Sequence, residues 1–258
     1  MTTDAQTHGR YRFPQVARME WIKLRSLRST WWVLAATVAG AVGIAVAVGV
    51  NIEDAAADLT NNALAGISLG LLLVGVLGVL VMTGEYSSGT IRTTLAAVPN
   101  RPLLLAAKAA VFAVVALAAG EAAGFIAFFA GGAALPAGIA GPSLGQPGVL
   151  RAVMLSGAGF CLVGLIGLGL GVMVRHTPAA IAVLVGGVYV VAQFVAVLTH
   201  SLMAYLPIAI VANSLTVVRP VAEDQVAFLS PWAGLGMLCL YAAGTLGAGA
   251  WLLARRDV

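Results

Sequence analysis

The residue types that usually carry chemistry are few and scattered in this chain of 258 residues. The three histidines, His8, His176 and His200, show no H-E-x-x-H spacing and have no cysteine partner nearby, so a zinc-hydrolase site is excluded. Neither of the two lysines ends a G-x-x-x-x-G-K-[ST] loop, and no G-x-S-x-G element is present. The sequence therefore predicts a protein that is not an enzyme, binds no cofactor of its own and holds no metal ion.

One carboxylate, Glu121, lies deep inside a long apolar stretch. An ionisable residue within a membrane-spanning segment is costly and by default indicates a functional role. Two roles stay open: Glu121 lines a substrate path, or it is protonated and hydrogen-bonded to a neighbouring helix. Under the second role we expect Glu121→Gln to be tolerated, whereas loss of transport would favour a role for the charge or proton.

The most polar connection between apolar stretches covers residues 84–102. Ser87 and Ser88 are suited to cap a short helix from about Gly89 to Ala97, which Pro99 then ends. A short helix on the membrane surface, held between two spans, suits a lever that another protein moves. A plain connecting loop is the alternative.

Composition defines the class of protein that carries these residues. Of the chain, 60% is hydrophobic and only 9% is charged, whereas soluble domains have about 25% charged residues. Because a membrane span needs about 20 largely apolar residues, the apolar runs predict an all-α integral membrane protein of six transmembrane helices in a single domain. The spans are expected at about 30–51, 62–83, 103–131, 152–174, 178–199 and 232–254.

The uncharged stretch within 200–231 is the alternative seventh span. Pro207, Asn213, Ser214 and Thr216 interrupt it and its apolar part is short, so we expect a re-entrant or interfacial outer segment instead.

The basic residues predict the orientation of the chain. All but two of the 14 lysines and arginines, Arg151 and Arg219, fall on one side of the predicted spans. Basic loops stay in the cytoplasm, so both termini are expected there, and the positive charge reflects topology rather than a nucleic-acid partner. The excess of arginine over lysine is typical of a GC-rich bacterial genome, which indicates a multi-pass protein of the bacterial plasma membrane.

Residues 14–29 combine apolar and basic side chains ahead of the first span. Such a pattern predicts an amphipathic helix that lies along the inner surface of the bilayer. Its basic residues, Arg18, Lys23, Arg25 and Arg28, would face lipid head groups, while a solvated leader is the alternative.

Two motifs carry a resemblance to a known family. The stretch G-E-Y-S-S-G-T-I-R-T-T-L-A-A-V-P-N-R over 84–101, followed by Lys108, and the upstream M-E-W-I-K-L-R-S-L-R-S-T-W-W over 19–32 resemble ABC type-2 exporter permeases, the membrane subunits of ATP-binding-cassette exporters. The resemblance covers nearly the whole chain. It implies that an ABC ATPase subunit, which binds ATP and Mg²⁺, docks on the cytoplasmic coupling segment 84–102. The docking residues would be Glu85, Gly89, Thr90, Arg92, Pro99 and Arg101.

The same resemblance implies export of a lipophilic drug, lipid or peptide by two copies of this chain, or by one copy with a similar partner. The repeats Gly66-x-x-x-Gly70, Gly120-x-x-x-Gly124 and Gly167-x-x-x-Gly171 permit close helix packing and are candidates for a homodimer contact. We expect Glu85→Ala or Arg101→Ala to impair transport while leaving membrane insertion intact.

Two other classes remain as alternatives. An ion-driven secondary transporter would carry several intramembrane acids or broken helices in two related halves, and the sequence shows one acid and no clear repeat. A structural or sensory membrane protein would not need a patterned cytoplasmic lever. Dependence of transport on ATP separates the first from an exporter, and any transport excludes the second.

Overall fold

A computed structural model describes residues 12–53, 57–190, 194, 200–218 and 228–255. In these ranges every regular element is a helix. The helices are α1 (Phe13–Ser26), α2 (Arg28–Val50), α3 (Leu59–Ala63), α4 (Ile67–Ser87), α5 (Thr90–Ala97), α6 (Arg101–Ala133), α7 (Val149–Val174), α8 (Thr177–Leu184, continued by a π-helical stretch Val185–Val190), α9 (His200–Met203), α10 (Pro207–Leu215) and α11 (Pro231–Arg255).

Five of the described helices, α2, α4, α6, α7 and α11, are long and apolar enough to cross a membrane. The all-helical class predicted from composition is therefore confirmed, and the protein has the character of a multi-pass membrane protein. The predicted fifth span, 178–199, begins with α8, but residues 191–193 and 195–199 lie outside the described residues. Of the predicted outer segment 200–231, residues 219–227 lie outside them as well.

Helix α7 lies at the centre of the bundle and packs against α4, α6 and α11. Small residues allow these helices to approach closely. On α4, a Cβ atom added at Gly78 would lie 2.1 Å from the carbonyl oxygen of Gly164 on α7. On α6, a Cβ atom at Gly124 would lie 2.2 Å from Oγ of Ser156. Neither position has room for a side chain.

The three glycine repeats considered for a homodimer are used inside the chain. Their six glycines all meet neighbouring elements of the same protomer: Gly66 faces the Ala41 backbone, Gly70 and Gly120 face Phe160, Gly124 faces Ser156, Gly167 faces the Gly75 carbonyl and Gly171 faces Val79. A contact between copies would therefore have to use other surfaces.

The helix directions define two ends of the bundle. At one end, which we call the α5 end, α4, α7 and α11 end and α5 and α6 begin. Arg101 at the start of α6 lies 2.6 Å from the Leu253 carbonyl of α11, and Arg175, just after α7, lies over the ring of Tyr86 on α4. At the opposite end, the α3 end, the carboxylate of Asp58 accepts hydrogen bonds from the backbone N–H groups of Val217 and Val218 at 2.7 and 2.9 Å. Helix α10 is thereby tied to the α3 end, where it also packs against α7 and α11.

Candidate functional site

Four charged side chains form a cluster at the α5 end: Glu20 and Lys23 from α1, Glu85 from α4 and Lys108 from α6. We call this group the ion cluster. The Lys108 ammonium contacts the Glu20 carboxylate directly and lies 2.8 Å from Oε1 of Glu85. Lys23 Nζ lies 3.1 Å from Oε1 of Glu20 and 3.0 Å from Oε1 of Glu85. Three helices that are far apart in sequence are thus joined by ion pairs.

Helical spacing places two of these charges on apolar faces. On α1, the buried stripe consists of Val16, Glu20 and Leu24, each four residues apart. On α6, Lys108 lies between Leu104 and Phe112 at the same spacing. Glu20 is 3% exposed and Lys108 is 4% exposed, so each charge depends on the other for compensation.

Lys23 occupies the outer side of the cluster and also reaches α5. Its ammonium donates a hydrogen bond to Oγ1 of Thr94 at 2.9 Å, in addition to its contacts with the two carboxylates. Burial by itself would lower the pKa of Lys23, but the carboxylates of Glu20 and Glu85 outweigh it, and the pKa rises above its ordinary value of 10.5. Lys23 therefore stays charged across the physiological range.

The predicted short helix of the coupling segment is present as α5, although its capping differs from expectation. The hydroxyl groups of Ser87 and Ser88 donate to the Gly84 carbonyl at 3.1 and 2.7 Å, so they close the end of α4 instead of capping α5. Gly89 precedes α5 with a φ of 72°. This left-handed conformation favours glycine and turns the chain from α4 into α5.

Helix α5 has one attached face and one free face. Ile91, Thr94 and the following Val98 are buried against the protein. Thr90 and Arg92 are exposed on the other side. In α5 and the residues beside it, the structure thus leaves a strip of surface available to a partner.

The six predicted docking residues divide into two groups. Gly89, Thr90, Arg92 and Pro99 are exposed. Glu85 is in the ion cluster with a side chain that is 12% exposed, and half-buried Arg101 donates to the carbonyl of Leu253 in α11. These two side chains connect helices within the chain, so direct contact with a partner is expected only for the four exposed residues.

The four predicted interfacial residues divide in a similar way. Arg18, Arg25 and Arg28 are exposed, but the ion cluster contains Lys23. The predicted helix over 14–29 is also two helices, because Leu27 adopts an extended conformation between α1 and α2. Helix α1 packs against α6 as well as exposing apolar side chains such as Trp21 and Ile22.

Glu121 lies apart from the ion cluster, 13 residues further along α6 than Lys108 and thus about 20 Å away along the helix axis. It is half-buried, and a Cβ atom added at Gly157 of α7 would lie 2.4 Å from its Oε1 atom. Its Oε2 atom is buried and accepts no hydrogen bond from the residues that the structure describes. The carboxyl group therefore packs between α6 and α7, and both roles proposed for it stay open.

A cavity of about 420 Å³ adjoins the ion cluster. Glu20, Lys23, Glu85 and Lys108 line one side of it. Apolar residues from α1, α4 and α6, together with Leu27, line another side: Leu24, Leu27, Leu80, Val81, Val111 and Phe112. The cavity is therefore both polar and apolar, and its volume is in the range of small-molecule sites, about 300–1,000 Å³.

The ion cluster is the feature that sequence reasoning missed. The sequence predicts no pairing between Glu20 and Lys108, whereas the structure buries both as a pair. A signal was present for one of them: Glu20 is the only acidic residue of α1, and it lies on the apolar stripe of an otherwise basic helix.

Other chemistry is not apparent in the described part of the chain. No group of three or more histidine, cysteine, aspartate or glutamate side chains there could hold a metal ion. Cys161 and Cys239 are free thiols. No protein-family model matches this chain, and no significant match to a curated protein was found.

Proposed function

We propose that this chain is the membrane-spanning permease subunit of an ATP-driven ABC exporter, with six spans, both termini in the cytoplasm of a bacterial cell, and a separate ATPase subunit docked at the α5 end. The observation that supports this most directly is helix α5. One face is joined to α1, α4 and α6 through Thr94 and the ion cluster, and the other face is exposed. A short helix built in this way can receive a force from a partner and pass it to two long helices.

The direction of the helices supports six crossings. Helix α7 ends at the α5 end with Val174, and α11 begins near α10, where a Cβ atom at Gly234 would lie 2.7 Å from Ile210. The two helices run parallel, since Gly169 faces Thr245 and Gly249 faces Val172. This parallel arrangement supports a further crossing between α7 and α11. Helix α8, which packs on α4 and α7, would begin that fifth crossing.

The same topology supports the proposed outer segment. The Arg151 side chain donates to the Thr216 carbonyl at 3.0 Å, and the Asn213 side chain donates to the Leu229 carbonyl at 2.8 Å. These bonds hold α10 near the starts of α7 and α11, as expected for a re-entrant or interfacial segment at the outer surface. The basic residues at the α5 end give the orientation, because positive segments stay in the cytoplasm.

The transport unit would contain two permease chains, either two copies or one copy and a similar partner. Helices α2 and α11 are mostly exposed: only 28% and 22% of the residues in their most apolar 18-residue stretches are buried. Their free surfaces are the candidates for this contact, since the glycine repeats are already occupied.

Co-purification tests the proposal. The tagged chain, expressed with the product of the neighbouring reading frame and extracted in mild detergent, is expected to bring down a stoichiometric ATPase whose activity changes on assembly. Substitution Arg92→Glu on the free face of α5 is expected to weaken that association at least tenfold. Arg28→Glu is the matched control, because Arg28 is also an exposed arginine, located at the start of α2.

The outcomes separate the candidate functions. Association that is lost in Arg92→Glu and kept in Arg28→Glu supports docking on α5. A chain that purifies alone and transports on a proton gradient without ATP would identify a secondary transporter. A chain that associates with no ATPase and moves no substrate would leave a structural or sensory role.

A further inference from the structure

The cavity beside the ion cluster is lined by apolar side chains and by four charged side chains that are all paired with one another. Two carboxylates, Glu20 and Glu85, face two ammonium groups, Lys23 and Lys108, so the formal charge of the cluster is zero. The three hydrogen-bonding positions of the Lys23 ammonium are filled by Glu20, Glu85 and Thr94. A ligand that carried a charge into the cavity would find no unpaired counter-charge, and desolvation would make its binding unfavourable.

The exposed lining of the cavity includes two large apolar side chains, which lie there together with polar residues. Leu27, at the junction of α1 and α2, is 49% exposed, and Leu80 on α4 is 38% exposed. Both line the cavity. In the proposed orientation, with α1 along the inner surface of the bilayer, exposed leucines at this position would face acyl chains. Access from the adjacent leaflet is therefore open to a molecule with an apolar body.

The exposed part of the cavity also carries uncharged hydrogen-bonding groups. The hydroxyl groups of Ser26, Ser88 and Thr90 line it, and Ser88 and Thr90 lie 2.9 Å apart. Glu85 Oε2 is a further acceptor, because it accepts no hydrogen bond from the described residues. It is covered, so a ligand donor reaches it only when the carboxylate turns about its soft terminal torsion. These groups suit a hydroxyl or amide rather than an ion.

We propose that the cavity between α1, α4 and α6 is an entry site for the transported substrate, and that this substrate is an uncharged lipophile with a hydrogen-bonding hydroxyl or amide group, taken from the inner leaflet. That the bound molecule is transported rests on the proposed function, whereas its binding in this cavity does not. The apolar body would lie along Leu80, Val111 and Phe112, with its polar end toward Ser88 and Thr90.

Gly84 allows the cavity to be filled without touching the ion cluster. It lines the cavity, and a Cβ atom added there meets nothing within 4 Å. Gly84→Leu is therefore expected to occupy cavity space, whereas Gly84→Ala is expected to leave most of it. Gly43→Leu is the matched control, since Gly43 is also an exposed helical glycine whose added Cβ meets nothing within 4 Å, but it lies on α2 outside the cavity lining.

The experiment measures binding to the purified chain in phosphatidylcholine nanodiscs, without ATP or ATPase. The probe is a dodecyl alcohol with a terminal pyrene, detected by energy transfer from tryptophan. We expect saturable transfer in the unmodified chain, Gly84→Ala and Gly43→Leu, and at least a tenfold weaker affinity in Gly84→Leu. The corresponding dodecylammonium and dodecyl sulfate are expected to compete at least tenfold more weakly than dodecanol. Should Gly84→Leu fail to fold, Ser88→Leu, which also lines the cavity, replaces it.

Three results would overturn the proposal: equal binding in Gly84→Leu and Gly43→Leu, equal competition by the charged analogues, or transfer that never saturates. Displacement of the probe by added phosphatidylethanolamine would also overturn it, because the occupant would then be a structural lipid. Since no ATPase is involved, these failures are distinct from a failure of co-purification, which would contradict the exporter and leave the binding site in place.

Discussion

Substitution Lys108→Met removes the most deeply buried ammonium group of the ion cluster and leaves an apolar side chain of similar length in its place. Glu20 and Glu85 then share only Lys23, which is at the outer side of the cluster with a side chain that is 34% exposed. The effect of this change on the free energy of unfolding can be estimated from burial.

Removal of one partner from a buried ion pair costs about 3–5 kcal/mol, because the remaining charge stays buried without compensation. Lys108 and Glu20 are each 4% exposed at the side chain, so the full range applies to Lys108→Met. Lys23→Met is expected to cost less, about 1–2 kcal/mol, because water reaches the outer side of the cluster and screens the remaining charges.

The double substitution Lys108→Met with Glu20→Gln tests whether the cost arises from the unpaired charge. It removes one positive and one negative charge and leaves the pair Lys23–Glu85, at 3.0 Å, intact. We expect the double variant to be more stable than Lys108→Met alone by at least about 1 kcal/mol. Ordinary loss of packing would instead make the two costs add.

The measurement is unfolding of the purified chain by denaturant titration in detergent, followed by circular dichroism. Arg92→Met is the control, because it removes an exposed basic side chain at the same end of the protein and should change the free energy of unfolding by less than about 0.5 kcal/mol. A cost below about 1 kcal/mol for Lys108→Met, or simple additivity with Glu20→Gln, would contradict the description of the cluster as a buried, mutually compensating set of charges.

Four further predictions follow from other contacts. Because the pKa of Lys23 is raised in the folded chain, its contribution to stability is complete below its ordinary pKa of 10.5 and is lost as the pH rises through the higher folded-state value. The difference in unfolding free energy between the unmodified chain and Lys23→Met should thus be constant from neutral pH to about pH 9 and shrink only under strongly alkaline conditions. A decrease of this difference near pH 7 would contradict the prediction. Gly78→Ala should destabilise the protein by about 1–3 kcal/mol, because its Cβ would lie 2.1 Å from the Gly164 carbonyl oxygen, whereas Gly244→Ala on α11, which meets nothing within 4 Å, should be neutral or slightly stabilising in thermal unfolding. Asp58→Ala should lower the free energy of unfolding by about 2–3 kcal/mol, because the carboxylate accepts hydrogen bonds from the backbone N–H groups of Asn61 at the start of α3 and of Val217 and Val218. Limited proteolysis near residue 217 should become faster, and an unchanged cleavage rate would refute the anchoring role. Finally, Glu121→Gln preserves the shape of a side chain packed against Gly157, so the midpoint of thermal unfolding should not change. A transport assay then decides between the two roles: activity is kept if the side chain acts as a neutral hydrogen-bonding group and lost if its charge or proton is needed.

The helices were predictable because their signal is local. Runs of apolar residues predicted α2, α4, α6, α7 and α11 to within five residues at each end, and Pro99 was expected to end the short helix α5. The short helix was predicted from Ser87 and Ser88 as caps and Pro99 as its end; the helix is present, although the two serines close α4 instead. Composition and the length needed to cross a bilayer determine the five long helices, whereas α5 depends on local turn signals.

The ion cluster was not predictable in the same way, because its members are paired across long stretches of chain. Glu20 and Lys108 are separated by 88 positions, and the residues around one do not indicate that the other is its partner. A lysine near the end of a span is ordinarily expected to reach the surface with its long side chain. Here the tertiary fold places two carboxylates within contact of the ammonium, which removes the need to reach water and reverses the expectation.

The position of the cluster also explains why a partner's force on α5 would act on the long helices. Ile91 and Val98 anchor α5 by burial, and Gly89 gives it a turn whose backbone is unconstrained by a side chain. Thr94 links α5 to Lys23, and through it to Glu85 on α4. The ends of α1, α4 and α6 are held together by buried charges that cannot separate without a cost of several kcal/mol, so these ends should move as one unit. A displacement of α5 would then be transmitted along α4 and α6, while the turn at Gly89 accommodates the change in angle. By this argument Glu85 would act on the proposed transport through α4 and α6, without touching the proposed ATPase subunit, and its replacement should impair coupling and stability together.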